Sequence, residues 1–133
     1  MHPSEAEFAN EAFYMAFNRR DVAAMEALWS ARHEAVCLHP GWPALIGREA
    51  IMDSWRSIFA NPDQPPVTFH SASPCRMGDG MVAVVCYEVV AGSTMVATNL
   101  FVEEDGQPKL VLHQSGICAR PPPMAEETSL DIN

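Results

Sequence analysis

Residues 81–104 run Met81-Val82-Ala83-Val84-Val85-Cys86-Tyr87-Glu88-Val89-Val90-Ala91-Gly92-Ser93-Thr94-Met95-Val96-Ala97-Thr98-Asn99-Leu100-Phe101-Val102-Glu103-Glu104. Two stretches rich in β-branched and aromatic residues, 81–91 and 95–104, flank the link Gly92-Ser93. A short Gly-containing link between two such runs is a hairpin signal. Working outward, residues 67–76 and 109–118 have the same composition, and Gly78-Asp79-Gly80 and Asp105-Gly106 join them to the central pair. Parallel neighbours need long crossovers, which these links do not provide, so the spacing predicts an antiparallel meander.

The two central strands are apolar at nearly every position, whereas a sheet with one wet face alternates. Val82, Val84, Met95, Ala97 and Phe101, together with Val85, Val96, Leu100 and Val102, supply apolar side chains to both faces. One face then covers the core. The other is expected to meet a second copy of the chain, because an apolar patch of that size rarely stays exposed on a monomer.

Upstream the period changes. Ser4 and Glu7 have the spacing of a capping box. Phe8, Ala9, Ala12, Phe13, Ala16 and Phe17 follow at helical spacing, predicting a helix over 5–19. Asp21 caps a second helix in which Val22, Met25, Leu28 and Trp29 share a face. Ala35 to His39 reads as a short strand, broken by Pro40, Gly41 and Pro43. Gly47-Arg48-Glu49 opens a third helix with Ile51, Trp55, Ile58 and Phe59 along one side. The proline-rich stretch from Asn61 to Pro66 ends it. The predicted class is α+β: three N-terminal helices on a curved antiparallel sheet, in one domain over 1–119. Residues 120–133 read as a Pro-rich, acidic tail that is a solvated extension.

The chain has 133 residues, near the commonest size of a domain. Seventeen acids against eight bases give a net charge of -9, which argues against nucleic acid and against an anionic membrane surface. No segment reaches the ~20 apolar residues that span a bilayer. Met1-His2-Pro3-Ser4-Glu5 lacks the basic and apolar regions of a signal peptide, so a cytoplasmic location is expected. None of the four cysteines forms a Cys-x-x-Cys pair. Cys37 and Cys86 lie in apolar runs and read as buried thiols of a reducing compartment.

Polar residues inside apolar elements are the informative ones, since burial without a partner is costly. His39 ends the first strand, Asn99 interrupts an apolar strand, and His113 and Ser115 share a face of the last one. Trp29, Trp42, Trp55 and Tyr87 offer large apolar surfaces with one polar handle each. An aromatic cavity with a few convergent polar groups is the usual form of a small-molecule site. Each residue also has a structural alternative: a satisfied histidine, an amide bonded to a loop, a tryptophan in the core. His39 and His113 are too few for a metal site without Cys37 or a carboxylate, and no compact ligand motif is present, so neither metal nor cofactor is expected. There is no Gly-x-Ser-x-Gly elbow.

The element order, with Asn18-Arg19-Arg20-Asp21-Val22-Ala23-Ala24-Met25 and His39-Pro40-Gly41-Trp42-Pro43-Ala44-Leu45-Ile46-Gly47-Arg48-Glu49-Ala50-Ile51, resembles the nuclear transport factor 2-like (NTF2-like) superfamily over about residues 5–118. Within it, the SnoaL-like and ketosteroid-isomerase-like proteins are the most similar. The resemblance implies a cone-shaped, cystatin-like fold, a pocket between helices and sheet, and frequent dimers. In the isomerase pattern a catalytic aspartate precedes a proline, where His39-Pro40 stands here. The tyrosine donor of that pattern falls near Phe13, with Tyr14 about 100° away round the helix. Its protonated aspartic acid falls near Asn99. Two functions stay open. One is acid/base catalysis of isomerase, dehydratase or cyclase type on a small hydrophobic carbonyl compound, with His39 as base, Asn99 as oxyanion donor and His113 orienting substrate or acting as a second acid/base. The other is a non-catalytic ligand-binding or homodimeric assembly module.

Overall fold

The computed structural model describes residues 1–124. The acidic part of the tail, residues 125–133, lies outside the described residues. Helix α1 spans Pro3–Arg19 and α2 spans Val22–Leu28. Two short strands, β1 (Val36–Leu38) and β2 (Leu45–Ile46), precede helix α3 (Arg48–Ala60). The meander follows as β3 (Val67–Gly78), β4 (Met81–Val90), β5 (Ser93–Glu104) and β6 (Gln107–Ile117).

Helix α1 starts two residues earlier than the capping-box spacing predicts. His2 is the cap: its Nδ1 accepts the Ser4 N–H at 3.1 Å, and the Glu5 carboxylate accepts the His2 N–H at 3.3 Å. Pro3 explains the shift, because proline has no N–H to satisfy and its fixed φ suits the first helical position. The helix stops at Arg20, whose φ is +54° and whose guanidinium donates to the carbonyls of Phe59, Asn61 and Gln64. One side chain thus ties the end of α1 to the end of α3. Asp21 caps α2 as expected, accepting the Ala24 N–H at 3.0 Å. Arg48, in the Gly-Arg-Glu stretch, donates to the carbonyls of Glu26, Trp29 and Ser30. Glu26 lies in the last turn of α2, and Trp29 and Ser30 follow its end, so the arginine ties the end of that helix to α3.

The sheet order is β2-β1-β6-β5-β4-β3. The meander is antiparallel throughout, but β1 joins β6 in parallel, pairing Cys37 with His113. The expectation of a wholly antiparallel sheet is therefore corrected at one edge. The short links constrain only sequence neighbours, and between β1 and β6 the chain has α3 and the rest of the meander as its crossover. This pairing brings His39, next in line after β1, towards His113.

A two-residue irregularity between His70 and Ser73, with Ser71 at φ +56°, and a second between Leu100 and Phe101 bend the sheet. The concave face holds Val82, Val84 and Cys86 of β4, Ala97 and Phe101 of β5 and Leu110 of β6, all fully buried. Against it lie Phe13 and Ala16 of α1, Met25 of α2, and Ile51 and Trp55 of α3. Large side chains of this kind contribute roughly 1.5–3 kcal/mol each when buried, so the apolar stripe sets the helix orientation. Val85, Val89, Val96 and Leu100 lie on the convex face and are half-buried.

Candidate functional site

At the open end of the cone a cavity of about 430 Å³ separates α1 and α3 from the sheet. Phe13, Phe17 and Trp55 form one wall, with both phenylalanines edge-to-face to the indole at 5.6 Å. Trp42, Ile58 and Met95 stand at other positions round it. Three titratable side chains from three strand regions reach its lining: His39, Glu88 and His113.

Hydrogen-bond arithmetic fixes the state of the floor. Glu88 accepts the Ser115 hydroxyl at one oxygen and the Tyr14 hydroxyl at the other, both at 2.6 Å. Tyr14 has a single proton, so towards Asn99 its oxygen is an acceptor, 3.2 Å from Nδ2. The amide also donates to Asn10 Oδ1 at 2.8 Å. Its carbonyl oxygen must then be the atom 2.6 Å from His113 Nδ1, which carries the proton. His113 Nε2 is left with a lone pair. It has no partner among the described residues and is not sealed from the cavity, unlike the indole nitrogens of Trp29 and Trp55, which are both buried and unpaired.

His39 is held differently. Ser54 gives its proton to the Ile51 carbonyl at 2.6 Å, so it accepts from His39 Nε2 at 2.9 Å. Cys37 Sγ lies 3.6 Å from that same Nε2 and 3.9 Å from Nδ1. Burial pushes that thiol up to about 12, so the sulfur keeps its proton. Nε2 of His39 is therefore committed to Ser54, and its ring packs at 4.8 Å from Trp42 and from Trp55.

Burial dominates the electrostatics. It lowers His113 to about 4, and burial with the nearby His113 lowers His39 to about 4, so both rings are neutral near pH 7. Burial raises the Glu88 carboxyl above the usual carboxylate range, against the opposing pull of the Ser115 and Tyr14 hydroxyls. Tyr14 is raised well above 10.0, first by burial and then by Glu88, and so stays protonated.

The structure brings His39, His113, Trp42 and Trp55 to one cavity and separates the other expected residues from it. Asn99 is fully buried behind His113, and both its N–H groups are engaged, so it orients the histidine and has no donor for an oxyanion. Ser115 lies beneath Glu88. Trp29 is core, bridged to Leu110 beside α2. Tyr87 stacks on His70 across the convex face, because odd positions of β4 point away from the helices. Glu88 and Asn10 were not foreseen, and Tyr14 was set off the inward face of its helix. Glu88 shares the even register of Val84 and Cys86, and a carboxyl on a buried period-2 face was the available signal. Tyr14 and Asn10 are spaced i, i+4 on a stripe of α1 wider than the Phe13 face alone, because the helix sits inside the curve of the sheet.

A second, more open groove of about 960 Å³ runs along α1 and α2 past Phe8 and Met15, but no buried polar side chain lines it.

A helix-lined cone with a polar cluster on its concave floor agrees with the match of residues 7–119 to the SnoaL-like domain. The chain belongs to that family. Among solved structures it is similar to a proposed dehydratase of the NTF2-like family from Streptomyces avermitilis, with 27% identity, a TM-score of 0.77, and 88% of this chain and 96% of that one covered. It is similar to a proposed calcium/calmodulin-dependent protein kinase type II association domain from Thiobacillus denitrificans, with 27% identity, a TM-score of 0.74 and coverage of 84% and 94%. A ketosteroid isomerase-like protein from Erwinia carotovora atroseptica, at 18% identity, a TM-score of 0.68 and coverage of 86% and 94%, shares the fold. No curated protein matches the chain. No helix among the described residues is long and apolar enough to cross a membrane.

Proposed function

We propose that this SnoaL-like chain catalyses cofactor-independent elimination of water from a small hydrophobic β-hydroxy carbonyl compound held in the cavity. The observation that carries the reading is the pairing of a neutral His113, with a free Nε2, and a Glu88 carboxyl that burial keeps protonated to higher pH, on one apolar cavity. His113 Nε2 takes the proton from the carbon next to the carbonyl. The released electron pair forms the C=C bond as the C–O bond breaks, and Glu88 gives its proton to the departing hydroxyl. Water leaves, His113 is left as imidazolium and Glu88 as carboxylate, and return of one proton resets the pair. Because one proton arrives as another departs, little charge builds on the substrate. That suits a site in which Asn99 offers no oxyanion donor. Trp42 and Trp55 would hold the apolar body, and His39 would act as a wall. The resemblance to the Streptomyces protein supports this class over isomerisation.

The test is turnover of 4-hydroxy-4-phenylbutan-2-one, followed by the near-ultraviolet absorbance of the conjugated enone. His113→Phe and Glu88→Gln are each expected to lower kcat by about 100-fold or more. Unchanged turnover in either variant would overturn the assignment.

A second reading rests on the convex face, where Val85, Val89, Val96 and Leu100 are half-buried and the Thiobacillus neighbour is a proposed association domain. In this reading two copies meet through the sheet. Light scattering should then give twice the 14.6 kDa chain mass, and Val85→Asp should give a monomer. A monomeric parent protein at micromolar concentration would remove it.

A further inference from the structure

We propose that the cavity admits uncharged molecules presenting a hydroxyl or N–H donor to His113, and rejects carboxylates and phosphate esters. This rests on the reading of the cavity as a ligand site, and it concerns which ligand enters rather than what happens to it.

The argument follows the protons of the buried network. Asn99 uses both amide protons on Asn10 and Tyr14, Tyr14 and Ser115 give theirs to Glu88, and His39 gives its own to Ser54. His113 uses its N–H on Asn99. The acceptor that this network leaves unfilled towards the cavity is therefore the His113 Nε2 lone pair. A ligand carrying only acceptors, an ether for example, leaves that lone pair unmatched and loses its own hydration. A hydroxyl satisfies it directly.

Charge points the same way. Among the described residues no Lys or Arg lines the cavity. Arg20 lies behind Asn61 and Gln64, with its guanidinium committed to backbone carbonyls. An entering carboxylate would lose its hydration against aromatic walls and meet no cation, in a chain of net charge -9. Burying an unpaired ion costs far more than a hydrogen bond returns.

The cavity volume of about 430 Å³ is near the small end of ligand sites, which suits a bicyclic body. Three probes share one body: 2-naphthol with a donor, 2-methoxynaphthalene without one, and 2-naphthoate with a charge. Calorimetry near neutral pH is expected to give 2-naphthol at least ~10-fold tighter binding than the ether, and at least ~100-fold tighter than the anion. His113→Phe should abolish the preference for the alcohol over the ether. Naphthoate or the ether binding as tightly as naphthol, with that binding lost in Trp55→Ala, would overturn the polarity while leaving the cavity as the site. Failure of all three to bind would remove the cavity reading, and this inference with it.

Discussion

Acidification should destabilise this protein through two named histidines. Burial, aided at His39 by the neighbouring His113, lowers both from an ordinary 6.5 to about 4 in the folded chain. As pH falls below the ordinary value, the unfolded chain takes up protons that the folded chain refuses, and the equilibrium shifts towards unfolding. The stability held in these rings is thus complete above pH 6.5 and is lost progressively down to about 4. By pH 5 the loss is roughly 2 kcal/mol per histidine, and the full window is worth on the order of 3 kcal/mol each. Against a typical domain stability of about 5–15 kcal/mol, that is enough to unfold a marginal variant. Glu88 acts in the opposite sense. Its raised carboxyl stays protonated in the fold after the unfolded group has ionised, so it favours the folded state at low pH and flattens the slope where the windows overlap. Urea denaturation at a series of pH values, with NMR titration of the histidine C–H signals, measures both quantities. His113→Phe should remove about half of the slope. Constant stability between pH 7 and pH 5, or a His113 signal titrating near 6.5, would refute the burial argument.

Three further outcomes follow from single contacts. Tyr14→Phe removes the hydroxyl bond to Glu88 and leaves one Asn99 N–H unpaired, so denaturation near pH 7 should show a loss of about 2–3 kcal/mol. Asn99→Ala frees the His113 ring; ¹⁵N NMR should then show a mixture of ring tautomers in place of the single Nδ1–H form, and retention of that form would show that Asn99 does not set it. Arg48→Ala should cost about 1–3 kcal/mol and speed amide exchange in α2, since three carbonyls in and just past its last turn lose this donor. Exchange unchanged in α2 would mean that packing alone holds it.

The α+β class was legible in the sequence because it follows from local rules. The Gly92-Ser93 and Asp105-Gly106 links admit only hairpins, the Phe13 stripe has a helical period, and Asp21 caps the helix it precedes. Candidate residues were legible only as polar interruptions of apolar elements, which is how His39, Asn99, His113 and Ser115 stand out. Their grouping depended on pairings between distant residues. The parallel joining of β1 to β6 sets Cys37 opposite His113, and the register of β4 turns Glu88 inward and Tyr87 outward. The curve of the sheet round α1 buries Tyr14 and Asn10 along with Phe13. Whether Asn99 is a donor or a clamp was decided by where Tyr14 sends its single proton. Such a choice belongs to a closed hydrogen-bond network, and no segment of chain carries it alone. The sequence by itself determined the elements and their apolar faces, because period, caps and turns are properties of neighbours. Only the tertiary structure decided which polar groups share a cavity and which of their protons and lone pairs remain free, because hydrogen-bond saturation and burial depend on contacts between residues 70 to 90 positions apart.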